Sequence, residues 1–379
     1  VFGPALLRMS LMHVLDEWHR KWPLMKLYLY IDDMGVLAQG TAHIIKTLFF
    51  DAIAHLDSLL ASVDAKLSRG VAGTTGGKSV VLAPAELMSF LAAQFLALGI
   101  AVIDHARNLG IDFFLSSQRH SEVRAARRSS VELRLTRMNI LKHSFCGGAW
   151  KVGRCGLWPA YSYGHAITGM SQAERNFARR IVFAAAPGAA AGRSMSVVLA
   201  LAGFDPAVEI DAGPTVLLSD LFWEANESRL RQLKSAWKLA LPNFPPSLVQ
   251  TRGPVSLAFF SANKLGWVPQ VDPGVFRTHR GRLVNFSIAC PTEIRWESKR
   301  DAELALWREA GINKPSFPTE PFLKPIVAVI KSLPVFEASC LRNFVGGGLW
   351  SAVRLFEAGL IEDPGCPECG LPADSTHDV

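Results

Sequence analysis

The chain has 379 residues, of which 49% are hydrophobic and 19% charged, with a formal net charge of +7. That length allows two or three domains with cores of their own, and the composition excludes wholesale disorder. Six irregularly spaced cysteines in so long a chain exclude a disulfide framework, and Cys146, Cys155, Cys290 and Cys340 read as ordinary buried or incidental thiols. Val1 stands first with no basic, apolar, cleavable signal after it, which suggests a piece of a longer intracellular protein of the nucleus or cytoplasm.

In chain order, apolar residues at helical spacing predict a helix over Leu6–Trp22, closed by Pro23. Lys26–Asp33 alternates, with Leu27, Leu29 and Ile31 on one face and Tyr28, Tyr30 and Asp32 on the other. A second apolar run over Met34–Ala38 sets Asp32 and Asp33 at a hairpin turn. Thr41 is the expected N-cap of a helix reaching Ser68. A strand (Lys78–Ala83), a helix (Glu86–Leu98) and a strand (Ile100–Ile103) follow, with Leu87, Phe90, Leu91 and Phe95 as core, and one or two short strands over Asn108–Leu115. Between Ser79 and Ile103 the only charge is Glu86, a span of bilayer length, but Pro84, Gln94 and Gly99 favour a buried strand–helix–strand and no membrane.

Beyond this point the pattern is mostly helical, which makes the expected class α+β. Ser121–His143 reads as a long basic helix, and Ser171 with Glu174 as the capping box of another. Ala184–Gly192 reads as a flexible link and Thr215–Leu241 as a helix. Frequent Pro and Gly over Pro242–Pro334 predict a loosely structured stretch, and an amphipathic helix over Trp350–Ala358 leads to the chain end. The window from Arg119 to His143 holds seven Lys or Arg against two Glu. Such a run fits a polyanion partner or a solvated helix face.

Three motifs carry chemistry. Tyr30-Ile31-Asp32-Asp33 enters and leaves through apolar strands. Phosphoryl transfer on two Mg²⁺ ions about 4 Å apart uses carboxylates held in this way, although a plain β-turn also favours Asp. Cys366-Pro367-Glu368-Cys369, with His377 after it, offers three corners of a Zn²⁺ site or a simple thiol pair. Ala72–Ser79 fits a loose P-loop pattern ending in Lys78, but a strand rather than a helix is expected after it.

The first motif resembles the Tyr-x-Asp-Asp hairpin of reverse transcriptases, and the segments after it follow that family's order. Gly76-Gly77-Lys78-Ser79 resembles its lysine-bearing motif, Asn108-Leu109-Gly110-Ile111 its primer-grip turn, and the basic helix its thumb. The likeness is to the non-LTR retrotransposon class, over roughly residues 1–200, and the Cys pair resembles the zinc segment that follows such polymerases.

The resemblance implies an RNA-directed DNA polymerase with Mg²⁺ on Asp32 and Asp33, Tyr30 at the primer end, and Lys78 near the leaving pyrophosphate or simply on the surface. It further implies Leu109 and Gly110 at the primer and phosphate contacts from Arg124, Arg127, Arg128, Arg134 and Arg137. Zn²⁺ would sit on Cys366, Cys369 and His377, with an RNA template, a DNA primer and a dNTP as partners. It divides the chain into a partial palm (1–117), a helical thumb-like region (118–241), a loosely structured connector (242–345) and a truncated zinc-knuckle-like segment (346–379). The family's first metal-binding aspartate has no counterpart here, and Asp16 and Glu17 lie on the helix before the hairpin. Little or no polymerase activity is therefore expected. The alternatives are a non-catalytic nucleic-acid-binding remnant and a P-loop NTPase using Lys78.

Overall fold

The computed structural model describes residues 3–30, 33–69, 78–108, 111–115, 122–144, 146–189, 193–311 and 323–346, with 353, 356, 359 and 361–365. The fold is α+β, 66% helical with small sheets. The chain divides into two compact units, Val1–Ser121 and Glu122–Val379.

In the first unit, α1 (Gly3–Lys21) precedes an antiparallel hairpin of β1 (Met25–Tyr30) and β2 (Asp33–Ala38). The pairs Met25–Ala38 and Leu27–Val36 turn toward the core while Tyr28 is exposed, as strand alternation requires. Helix α2 (Ala42–Ala61) starts at Thr41, whose hydroxyl accepts from the Ile44 N–H at 3.4 Å. It ends seven residues, about two turns, before the expected Ser68. Asp64 takes a left-handed φ of 58°, and the Ala65 N–H returns to the Leu60 carbonyl at 3.0 Å, closing the helix without a glycine. The indole of Trp18, wholly buried, donates to the Ala52 carbonyl at 2.7 Å and locks α1 to α2.

Next, β3 (Val80–Leu82) and β4 (Ala101–Ile103) pair in parallel through the crossover helix α3 (Ala85–Phe95). Gly99, at φ 66°, makes the turn into β4. Strands β5 (His105–Asn108) and β6 (Ile111–Phe114) form a second hairpin. Leu87, Leu91 and Phe95 are buried at i, i+4 and i+8, but Phe90 is 40% exposed, a correction to its expected place in the core. It sits on the flank of that stripe, with the Lys46 ammonium 5.2 Å from its ring. No described helix is long and apolar enough to cross a membrane.

The second unit begins with α4 (Glu122–Ser144) and α5 (Cys146–Val152), followed by a π-helical turn at Gly153–Leu157. The short α6 (Trp158–Ser162) and α7 (His165–Thr168) lead to α8 (Gln172–Ala185), where the Ser171–Glu174 capping box forms. A Cβ on Gly153 would lie 2.4 Å from the Ala185 Cβ, so only glycine lets the π-turn meet α8. Helices α9 (Met195–Leu201) and α10 (Pro206–Trp223) come next.

Helix α10 is apolar nearly all round because α7, α8, α12 (Gly253–Leu265) and α13 (Pro291–Gly311) enclose it. The single helix expected over Thr215–Leu241 is in fact the end of α10 and a separate α11 (Glu227–Ala240). Asn226 restarts it by accepting from the Arg229 N–H at 2.9 Å.

The described residues of 242–345, namely 242–311 and 323–345, depart most from expectation, since they are ordered rather than loosely structured. Between α12 and α13 lies a three-stranded antiparallel sheet of β7 (Val268–Pro269), β8 (Val275–Arg277) and β9 (Leu283–Asn285). Its core is aromatic: Trp237 meets Phe259 edge-on at 4.7 Å and Phe276 at 5.0 Å. The glycines that suggested looseness cap α12 (Gly266, φ 72°) and make turns (Gly274, φ 87°; Gly281, φ 80°) between very short elements. Helices α14 (Leu323–Ser332) and α15 (Val335–Val345) pack on α9. The helix expected at Trp350–Ala358 falls largely outside the described residues, as do 190–192 of the expected link.

Candidate nucleic-acid interface

The hairpin register pairs Tyr30 directly with Asp33, so Ile31 and Asp32 join the strands. Those two residues, and the side chains of Tyr30 and Asp33, lie outside the described part, so the relation between the two carboxylates is not among the described geometry. In β5–β6 the pair Asn108–Ile111 likewise leaves Leu109 and Gly110 as the connection, also outside the described residues. Lys78 is exposed just before β3. A strand follows it, so no helix N-terminus faces a phosphate there, as a P-loop needs. Cys366, Cys369 and His377 lie outside the described residues. Among the described ones, no three His, Cys, Asp or Glu are grouped so as to hold a metal.

The five arginines of α4 divide by environment. Arg124 is only 6% exposed. Its guanidinium donates to Thr168 Oγ1 at 2.7 Å, to the Gly169 carbonyl, and to Glu174 Oε1 at 3.4 Å. The other oxygen of Glu174 accepts from the Ser171 N–H at 2.6 Å. Arg124 therefore ties α4 to the end of α7 and the start of α8, and it has no face left for a phosphate. Its assignment as a phosphate contact is corrected on that ground. Arg127 donates to the Tyr163 carbonyl at 2.7 Å with its guanidinium 5.0 Å from the Tyr163 ring. Arg128 pairs with Glu132 at 3.0 Å and lies 4.6 Å from the Phe177 ring, yet half of its side chain remains open to water. Arg134 and Arg137, one turn apart, are exposed and have no ion-pair partner among the described residues. Of the five arginines, these two are best able to meet an external polyanion.

Sequence reasoning missed a charge cluster centred on the buried Arg175 and Asp211. Arg175 on α8 reaches Asp211 at 2.9 Å and Glu309 at 2.9 Å, and Lys264 on α12 reaches the other Asp211 oxygen at 2.8 Å. Burial acts to lower the Arg175 pKa, but Asp211 and Glu309 outweigh it and the value rises above the ordinary one. His165 is half-buried, its Nδ1 2.9 Å from the Ser162 carbonyl and Nε2 3.3 Å from that of Glu209. Desolvation, helped by the nearby Arg124 charge, depresses its pKa below 6.5 despite those carbonyls. Every charge in the Arg175 cluster is matched within the protein, so it reads as a brace of the helix packing. Its partners lie tens of residues apart, and no local motif announces them.

Compared with protein-family models, with curated proteins and with solved structures, the chain matches none.

Proposed function

We propose that this chain is polymerase-derived and binds nucleic acid, part of a reverse transcriptase of the non-LTR retrotransposon class that holds an RNA template and a DNA primer. The observation that carries the reading is the hairpin in which Tyr30 pairs with Asp33 at the end of an apolar ladder. It is supported by the order of elements after it, a crossover α3, a second hairpin around Leu109-Gly110, and then a basic helix on which Arg134 and Arg137 are exposed and have no ion-pair partner among the described residues. Asp32 and Asp33 would hold Mg²⁺, which supplies charge stabilisation for nucleotidyl transfer, and Cys366, Cys369 and His377 would take Zn²⁺. Two-metal transfer draws carboxylates from two strands, and this hairpin provides one of them. The proposal therefore expects template–primer binding without nucleotide incorporation.

The test is a fluorescence-anisotropy titration of an RNA–DNA template–primer at several salt concentrations, with a primer-extension assay alongside. Binding should weaken as salt rises, and Arg134→Ala with Arg137→Ala should flatten the salt slope by about one unit per lost contact. No binding at low salt, or binding indifferent to salt, would overturn the reading. Robust extension by this chain would show that another carboxylate completes the metal site.

A further inference from the structure

Two tryptophans of the second unit stand in water. Trp223, at the end of α10, is 51% exposed, and Trp296, on the first turns of α13, is 62% exposed. Large aromatic side chains bring much apolar area and are usually well covered. Here they flank one ion pair between the two helices, Asp220 with Arg295 at 3.6 Å. Trp223 lies one turn beyond Asp220, and Trp296 is the residue after Arg295. The Arg300 guanidinium sits 5.3 Å from the Trp296 ring.

The neighbours of Trp296 decide what kind of partner suits it. The positions one turn away on its face are Thr292, Glu293, Lys299 and Arg300, with Glu303 a turn further on, all polar. Lys299 is engaged with Glu209 at 2.6 Å, which leaves Arg300 as the cation beside the ring. A protein-docking face centres its aromatic anchors in an apolar patch. An isolated aromatic face edged by arginine instead matches a ligand that alternates flat rings with phosphates.

We infer that Trp223 and Trp296, with Arg295 and Arg300, form a stacking platform for unpaired bases of a single-stranded nucleic acid. The inference rests on the nucleic-acid reading above but concerns a surface separate from the hairpin and from α4. It assigns to α13 the stacking of exposed bases, and to α4 the sequence-independent attraction of the phosphates.

The experiment compares three probes on the full chain: a dT20 single strand, a blunt DNA duplex of the same length, and heparin, a polyanion without bases. Trp296→Ala should weaken dT20 binding about fivefold or more and leave heparin unchanged, and Trp296→Phe should restore most of the dT20 affinity. Trp223→Ala, checked for an unchanged melting temperature, should behave in the same direction. Equal losses for dT20 and heparin would reduce the site to a charge effect and overturn the platform. So would unchanged dT20 binding by Trp296→Ala, the result expected if these rings dock a protein. In both cases the α4 salt dependence would still stand. Failure of the unaltered chain to bind either oligonucleotide would remove the nucleic-acid reading itself, a result distinct from the other two.

Discussion

A Cβ on Gly213 would stand 2.8 Å from Nε2 of His165, so α10 and α7 meet where α10 carries no side chain. The imidazole cannot easily turn aside, because both of its nitrogens lie against backbone carbonyls, those of Ser162 and Glu209. Trp158 covers it further, with the ring centroids 5.7 Å apart.

Gly213→Ala should therefore destabilise the second unit by about 1–3 kcal/mol, the usual cost of overpacking a close contact. Chemical denaturation reads this as a lower midpoint with an unchanged slope. An unshifted midpoint would mean that the ring has room to move.

His165 should make stability fall in mild acid. Its folded pKa lies below the ordinary 6.5 because burial disfavours the imidazolium. Above about pH 6.5 both states are neutral and the full stability is present. As pH falls below that value the unfolded chain takes up a proton that the native protein refuses, and stability is lost until the folded pKa is reached. The drop in melting temperature between pH 7.5 and 5.5 should be smaller in His165→Gln than in the parent. Equal drops would assign the acid sensitivity elsewhere.

The α4 arginines should separate folding from binding. Arg124→Ala strands the acceptors at Thr168, Gly169 and Glu174 and should cost about 3 kcal/mol. Replacing the exposed Arg134 and Arg137 should change stability by no more than about 0.5 kcal/mol while weakening polyanion binding. A double variant that melts early would place those side chains in the fold after all.

Glu297 gives the opposite pH signature. Burial raises its pKa above the ordinary 4.5, with Asp301 and Glu293 adding to the shift and Arg282 opposing it. The ion pair to Arg282, at 3.4 Å, is half open to water and recovers little. A raised carboxylate pKa gives stability that is present below the unfolded value and lost as pH rises through the folded one. Glu297→Gln should thus melt higher than the parent at pH 7, with the difference closing below about pH 4.5. A lower melting temperature at pH 7 would show that the Arg282 contact outweighs the burial cost.

Local rules carried far in this chain. Alternation located the β1–β2 hairpin, Thr41 opened α2 as a cap, and the Ser171–Glu174 spacing formed its box. What escaped was set by distant residues. A run of arginines cannot reveal that Arg124 will meet an acceptor 44 residues on and that Arg134 will meet none among the described residues. Periodicity assigned Phe90 to an apolar face, but only the position of α2 decides which edge of that face is covered. Short strands such as Val268–Pro269 and Val275–Arg277 fall below the length at which a period of two can be counted, so Phe276, which packs on Trp237, looked like loop. For the candidate site, the sequence carried the Asp pair and the hairpin, while the tryptophans on α10 and α13 stood out only once their neighbours were known.

Because α10 is walled in by α7 and α8 before it and by α12 and α13 after it, its covering is contributed by segments from His165 to beyond Lys299. On the ribosome, α10 emerges with half of its wall still unmade, and its apolar surface must wait through about 70 further residues, several seconds at ordinary elongation rates. Interruption of synthesis in that interval would leave an apolar helix uncovered, whereas a stop after the first unit would not.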